Sequence, residues 1–381
     1  MLPISRQVQV KTGPNRATGF SLVEIMVGMV IGLLGILIMM NIYSNFEGQK
    51  RTTSGAGDVQ NEGAIALFSL QRDIEQAGYD INSTNLLGCR VSVPAITAPV
   101  AFILPAIAPV TINSSLIPAS GVDANTDTLL IVYGSSNGQP EGDIISSLAA
   151  SAVQATQYNV KFQPPSAQAG DQVIFEPVAR PAPCNLSVDS VTTVNQASIN
   201  VANGMPTASI PIVPNNIGTV FNLGNAANAA NGNAFTVNGY AIRGGNLTAC
   251  NYMQTDCTNV ANWSAIANGI VSLKAQYGRD TAPAAAMDSI VDVYDQTTPS
   301  SANPTYACDW MRISSMRVAL IGRNGQPDKG IVTGAAPIWA GSVGNPIDLS
   351  AFATWQNYRY KVFETTIPIR NLALNGVVPG C

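Results

Sequence analysis

The 381-residue sequence contains no histidine, and charged residues make up only 11% of it. Histidine is the commonest general base and a frequent metal ligand, so its absence removes the usual catalytic triads and many zinc sites. No two cysteines are spaced Cys-x-x-Cys, which also argues against zinc. We therefore expect no catalytic residues, no metal and no cofactor, and we interpret the protein as a non-enzyme.

The sequence also has little positive charge. It contains 19 basic and 23 acidic residues, for a net charge of −4. Three of the basic residues, Arg6, Lys11 and Arg16, lie within residues 1–19, where there is no acid. The rest of the chain is therefore more acidic than the whole, and we expect it to bind no nucleic acid, because it lacks a positive field for phosphates.

A long apolar run extends from Phe20 to Met40 and contains one charge, Glu24. As a helix it is about 30 Å long, the thickness of a bilayer core. The basic residues precede it, so the N-terminus is predicted to be cytoplasmic and the rest periplasmic. Met39 to Tyr43, at the end of the run, offer no small-residue cleavage site, unlike a secretory signal. A plain signal anchor does not explain Glu24, because a carboxylate in a membrane helix is costly and usually functional.

Residues 19–24, Gly-Phe-Ser-Leu-Val-Glu, resemble the leader junction of type IV prepilins. In that family prepilin peptidase cuts after the glycine, and the new N-terminal residue is N-methylated. The resemblance implies that residues 1–19 are the leader, that cleavage follows Gly19 and that Phe20 is methylated. It also assigns Glu24, the fifth residue of the mature chain, to subunit assembly.

The N-terminal helix is predicted to continue to Gly78, with residues 20–40 in the membrane. Leu67, Leu70, Ile74 and Ala77 recur at spacings of three and four and so form one stripe of an amphipathic helix. Residues 72–79 resemble the end of this helix in PilW-type minor pilins. In pilins the first half of this helix is a membrane anchor and the second half supports the globular head.

Residues 79–381 are predicted to form a β-rich periplasmic head, which gives an α+β, pilin-like fold. Strands are predicted from alternation or from short apolar runs at 128–133, 171–175, 270–277, 313–322 and 358–362. Residues 180–265 are rich in Asn, Ala, Gly and Thr, and we interpret them as a large loop-rich insertion.

Three C-terminal stretches extend the PilW resemblance: 269–278, 312–320 and 360–371. PilW-type proteins often carry an Asp-rich loop after the first of these stretches. This chain instead has Asp280 to Asp288 with mostly apolar residues between them. The acids from Asp123 to Asp127 lack the glycine and the final acid of a calcium loop. We therefore expect no calcium at either position.

The even number of cysteines, all beyond the apolar run, predicts an oxidising compartment and disulfides. Cys250 and Cys257 enclose a short loop and are the first candidate pair. Cys381 is expected to tie down the tail, with Cys308 as a candidate partner, which leaves Cys89 and Cys184. Sequence alone selects none of the pairings that six cysteines allow.

The resemblance as a whole predicts a minor pilin of the type IV pilus, in a priming or tip complex that serves adhesion and twitching motility. It implies five partners: prepilin peptidase, other minor pilins, the major pilin, a PilY-type tip adhesin and the inner membrane. A minor pseudopilin of type II secretion is the alternative, against which the C-terminal stretches argue. A membrane-anchored periplasmic hydrolase is a remote alternative, because histidine is absent.

Overall fold

The computed structural model describes residues 19–95, 97–134, 141–150, 154–206, 217–225, 235–282, 286–301, 306–373, 376–378 and 381. The predicted leader therefore lies outside the described residues except for Gly19. The chain divides into two compact units, Met1–Ser54 and Gly55–Cys381.

Helix α1 extends from Leu22 to Gln76 and confirms the predicted N-terminal helix. Its second half is amphipathic, because Ala66, Leu70 and Ile74 are fully buried at spacings of four. The helix ends just before Gly78, which has a φ of +84° and donates its N–H to the Val132 carbonyl at 3.0 Å. Glycine adopts this left-handed conformation without the steric cost of a side chain.

Within the described ranges, α1 is followed by strands, two short α-helices and two short 3-10 helices. The strands are β1 Arg90–Val93, β2 Phe102–Leu104, β3 Val110–Ile112, β4 Leu129–Tyr133, β5 Asp143–Ala150, β6 Gln154–Val160, β7 Asp171–Pro177, β8 Asn185–Asn195, β9 Ser198–Pro206, β10 Gly218–Asn225, β11 Thr236–Arg243, β12 Asn246–Asn251, β13 Ser264–Asn268, β14 Ile270–Arg279, β15 Val293–Asp295, β16 Ile313–Arg323 and β17 Tyr360–Pro368. The helices are α2 Tyr306–Met311, α3 Arg370–Ala373, and 3-10 turns at Val260–Asn262 and Trp355–Asn357.

The largest sheet has the strand order β2-β1-β8-β7-β10-β5-β6-β9, and β9 also pairs with β8. This additional pairing closes six of the strands, β8 to β9 in that order, into a ring. Strand β1 runs parallel to β8, with Arg90 opposite Asn185. Tyr158 and Phe175 stack within the associated core at a ring-centroid distance of 5.1 Å.

Two smaller sheets lie beside α1. One has the order β13-β12-β11-β4-β3 and the other β15-β14-β16-β17. Apolar side chains of α1 and of both sheets form one core cluster, which includes Leu70, Leu129 and Leu273. The second half of α1 is therefore held by packing against both sheets.

The prediction of a loop-rich insertion at residues 180–265 needs correction. Strands β8 to β12 and the start of β13 lie in this segment, and only residues 207–216 and 226–234 fall outside the described structure. The Asn- and Thr-rich composition obscured a period-two pattern, in which Leu186 and Val188 of β8 are buried on either side of the exposed Ser187. The pairing partners of these strands are distant in sequence, and a local composition does not reveal them.

The sequence of strand β14 alternates between polar and apolar residues, yet both of its faces are buried. Ser272, Lys274 and Gln276 on its polar face are nearly inaccessible. The connection between β16 and β17 covers this face, and the Gln276 side chain donates to the Gly341 carbonyl at 3.3 Å. Trp339 and Leu349 of the same connection form a small core with strand residues there.

Candidate functional site: the N-terminal junction and the helix that follows it

The predicted processing site lies at the start of α1. Gly19 and Phe20 precede the helix, and the Ser21 carbonyl accepts hydrogen bonds from Glu24 N at 3.0 Å and Ile25 N at 3.2 Å. Glu24 therefore lies in the first turn of α1. The unpaired N–H groups of a helix start favour a negative charge at this position.

The helix surface after this turn is apolar and uncovered. Residues Leu22–Ser44 have a mean hydropathy of 2.6, and none of the segment is buried within the protein. Its length and composition suit a bilayer crossing. Phe20 is 80% exposed and Leu33 is 61% exposed. An apolar surface of this size needs lipid or other helices around it.

Glu24 has no partner within the described part of the chain. No side-chain hydrogen bond or ion pair of Glu24 occurs among the described residues, so the structure does not join it to Phe20. Phe20 precedes the first helical residue, Leu22, so the two residues are not an i,i+4 pair within a helix.

Sequence reasoning missed two glycines on the same face of the helix. Gly28 and Gly32 follow Glu24 at spacings of four, and no atom lies within 4 Å of a Cβ built on either. Small residues four apart allow close approach of membrane helices. The spacing was readable from the sequence once Glu24 had been singled out.

Sequence reasoning also missed a buried carboxylate on the second half of α1. Asp73 is 2% exposed, and its Oδ2 accepts hydrogen bonds from Tyr240 Oη and Asn238 Nδ2, each at 2.7 Å. Burial, followed by the charge of Asp73, raises the pKa of Tyr240 well above its usual value. This network ties α1 to β11.

All six cysteines are paired in the structure. The disulfides are Cys89–Cys184, Cys250–Cys257 and Cys308–Cys381. The last of these holds the tail, as the sequence predicted for Cys381. Arg312 adds a second contact, because its Nε donates to the main-chain oxygen of Cys381 at 3.1 Å.

Asp280 and Asp123, two of the acidic residues considered for calcium, accept hydrogen bonds from backbone N–H groups. Asp280 Oδ2 accepts from the backbone N–H groups of Asp288 and Ser289, each at 2.7 Å. Asp123 accepts from the N–H groups of Gly244 and Gly245. Within the described ranges, no group of three or more potential metal-ligating side chains comes together.

Comparisons with known proteins match two parts of the chain. Residues 14–40 match the family described as prokaryotic N-terminal methylation motif. Residues 241–371, from the end of β11 into α3, match the family described as type IV pilus-assembly protein W. No curated protein and no solved structure matches the chain.

These matches and the apolar helix define a membrane-anchored, prepilin-type protein. More specifically, the two matches support a PilW-like type IV pilin with an N-terminal leader motif. The predicted resemblance is thus confirmed, and the family is a structural one. Neither family match extends over residues 41–240, which contain the whole eight-stranded sheet.

Proposed function

We propose that this chain is a minor pilin that joins other minor pilins in a priming complex at the tip of the type IV pilus. The position of Glu24 carries the proposal, since it lies in the first turn of an uncovered apolar helix that directly follows Gly19 and Phe20. The large head fits a subunit present in few copies, because it adds eight- and five-stranded sheets to the four-stranded C-terminal one. The same proposal includes three roles of the complex: it presents a PilY-type adhesin, and it serves adhesion and twitching motility.

Processing precedes assembly in this proposal. The leader lies in the cytoplasm, prepilin peptidase cuts after Gly19, and the amine of Phe20 is methylated. The chain then spans the inner membrane once, with its head in the periplasm. From there it enters the pilus together with the major pilin. The methylation-motif match over residues 14–40 supports this order of events.

The Glu24 carboxylate pairs, in this proposal, with the Phe20 amine of a neighbouring subunit. A charge left unpaired at the bilayer centre costs about 2.5–3.5 kcal/mol, and Glu24 near the interface costs less. The apolar helix offers Glu24 no partner of its own among the described residues. Pairing across subunits fixes the register of the helices, because a shifted neighbour leaves two charges unmatched.

Processing and incorporation of two variants test the proposal. Glu24→Ala and Glu24→Gln should insert and be cleaved after Gly19, because neither change alters the junction. Both should be depleted from sheared pili relative to the membrane fraction. Intact-mass analysis of the parent should show a chain that begins with a methylated Phe20.

Glu141→Ala is the matched control, because Glu141 is an exposed head carboxylate without a hydrogen bond to the described residues. It should enter pili like the parent. Normal incorporation of both Glu24 variants would reject the intersubunit role. A mature chain that retains Met1 or is cut beyond Met40 would reject the processing step.

A further inference from the structure

A cavity of about 620 Å³ lies in the head where β1 and β8 begin. Five polar side chains line it: Arg90, Arg180, Asn185, Ser301 and Tyr306. We refer to it as the arginine cavity. Its volume is within the range of small-molecule sites, about 300–1,000 Å³. It is built mainly from residues 88–185, outside both family matches.

The walls of the cavity are fixed by rigid elements. Pro105, Pro181 and Pro183 contribute apolar surface with restricted backbone freedom. The Cys89–Cys184 disulfide joins the starts of β1 and β8, where Arg90 N also donates to the Cys184 carbonyl at 3.0 Å. A cavity held in this way loses little entropy when it is occupied.

Gly88 allows one wall of the cavity to form. Its φ is +77°, and a Cβ on this residue would lie 2.8 Å from Cδ1 of Tyr306. A side chain here would therefore displace the Tyr306 ring. The ring is also supported by an edge contact with Trp310, at a centroid distance of 6.3 Å.

Arg180 is oriented by the backbone but retains unused donors. Its Nη1 donates to the carbonyls of Thr84, Asn85 and Leu87 at 3.2, 2.9 and 2.7 Å. No described residue accepts from its Nε or Nη2, and no described carboxylate forms an ion pair with it. Burial removes the Arg180 guanidinium partly from water and so lowers its pKa. The charges of nearby Tyr306 and Glu176 oppose this shift.

The other polar side chains of the cavity lack a hydrogen-bond partner in the part of the chain that the structure describes. The side chains of Arg90, Asn185, Ser301 and Tyr306 make no hydrogen bond to any described residue. The described lining contains two guanidinium groups and no carboxylate, although acids outnumber bases in the whole chain. The concave surface therefore has a local excess of positive charge and of unused hydrogen-bonding groups.

We propose that the arginine cavity binds an acidic saccharide. Guanidinium groups suit a carboxylate because they donate hydrogen bonds in a planar, bidentate geometry. The hydroxyls of Ser301 and Tyr306 and the amide of Asn185 both donate and accept, as sugar hydroxyls require. The prolyl walls offer an apolar surface to the C–H face of a sugar ring.

Binding of D-glucuronic acid to the full chain in detergent micelles tests this inference, for example by saturation-transfer NMR and titration calorimetry. D-Glucose and a Glu-containing tetrapeptide serve as the neutral and the peptide ligand. D-Glucuronic acid should bind at least about tenfold more tightly than D-glucose, since charged hydrogen bonds each contribute about 1.5–3 kcal/mol. Added salt should weaken the binding.

Variants place the binding in the cavity. Arg90→Ala should lower the affinity for D-glucuronic acid about tenfold, and Tyr306→Phe should lower it a few-fold. The Arg90 side chain is exposed and makes no hydrogen bond or ion pair with a described residue, so its variant should keep the parent's urea midpoint. Lys329→Ala, which removes an exposed positive charge outside the cavity, should bind like the parent.

Equal affinity for D-glucose and D-glucuronic acid would overturn the inference, and so would unchanged binding by Arg90→Ala. Binding of the tetrapeptide without D-glucuronic acid would assign the cavity to an acidic protein segment instead, which also overturns it. None of these measurements requires assembled pili. The inference and the proposed pilus function therefore fail independently of each other.

Discussion

Gly63 of α1 lies directly against the ring of Phe363 in β17. A Cβ atom on Gly63 would lie 2.6 Å from Cδ2 of Phe363, and closer still to Cε2 and Cζ. Glycine is unfavourable in the interior of a helix, by about 1 kcal/mol relative to alanine. Its presence here is explained by close packing between the helix and the C-terminal sheet.

Gly63→Ala is therefore expected to destabilise the head even though alanine favours helix. Overpacking of this kind costs about 1–3 kcal/mol, which exceeds the gain in helix propensity. Gly57→Ala is the matched control, because no atom lies within 4 Å of a Cβ on Gly57. Urea unfolding followed by tryptophan fluorescence reports on the head, since all four tryptophans lie in Gly55–Cys381. A Gly63→Ala midpoint at or above that of Gly57→Ala would contradict the packing argument.

A second prediction concerns the buried Asp73. Asp73→Ala leaves the donors of Tyr240 and Asn238 without their shared acceptor, which should lower the free energy of unfolding by about 1–3 kcal/mol. Asp58→Ala, at an exposed acid of the same helix, should change it by less than about 0.5 kcal/mol. The double variant Asp73→Ala/Tyr240→Phe should cost less than the sum of the single variants. Strict additivity would show that the two side chains are not coupled.

A third prediction concerns alkaline pH and Tyr133. Burial, followed by the charge of Asp73, raises the pKa of Tyr133 to about 12. The unfolded residue ionises near pH 10, so the folded state binds more protons between about pH 10 and 12. The stabilising contribution of Tyr133 is thus complete below about pH 10 and is lost as the pH rises to about 12.

Tyr133→Phe isolates this effect, because phenylalanine does not ionise. The difference in unfolding free energy between parent and variant should be constant below about pH 10. Above that pH the parent should lose about 1.4 kcal/mol more per pH unit than the variant does. Urea unfolding at a series of pH values measures both chains. Parallel curves through about pH 11 would contradict the proposed burial of the phenol.

The sequence predicted the parts of the fold that local patterns encode. The amphipathic stripe of Leu70 and Ile74 identified the helix, and apolar runs identified β4 and β16. Pairings between distant segments were not readable. Parallel pairing of β1 with β8 joins segments about ninety residues apart, and neither segment alone indicates its partner.

For the same reason, the sequence predicted only part of the candidate site. Gly19, Phe20 and Glu24 lie within one contiguous motif, residues 19–24, so a local pattern was sufficient to find them. Asp73 acquires its role from Tyr240, which lies far along the chain. The arginine cavity likewise combines residues of four separate segments, and its charge excess exists only after folding.

The last prediction concerns the three disulfides and the size of the loops that they close. Cys89–Cys184 spans 95 residues, Cys308–Cys381 spans 73 and Cys250–Cys257 spans 7. In the chain-entropy description, a bridge across a longer loop restricts the unfolded chain more strongly, and typical bridges contribute about 2–4 kcal/mol. Paired Cys→Ala variants should therefore rank in this order of lost stability.

Non-reducing peptide mapping of protein exported to the periplasm should first recover these three bridges. Urea unfolding of the three paired variants, each measured oxidised and after reduction, then gives the ranking. The Cys308→Ala/Cys381→Ala pair should lose less than its loop length implies, because Arg312 still holds the main chain at residue 381. Adding Arg312→Ala to this pair should release the tail and lower stability further. Six free thiols in the exported protein, or the greatest loss for Cys250→Ala/Cys257→Ala, would contradict this arrangement.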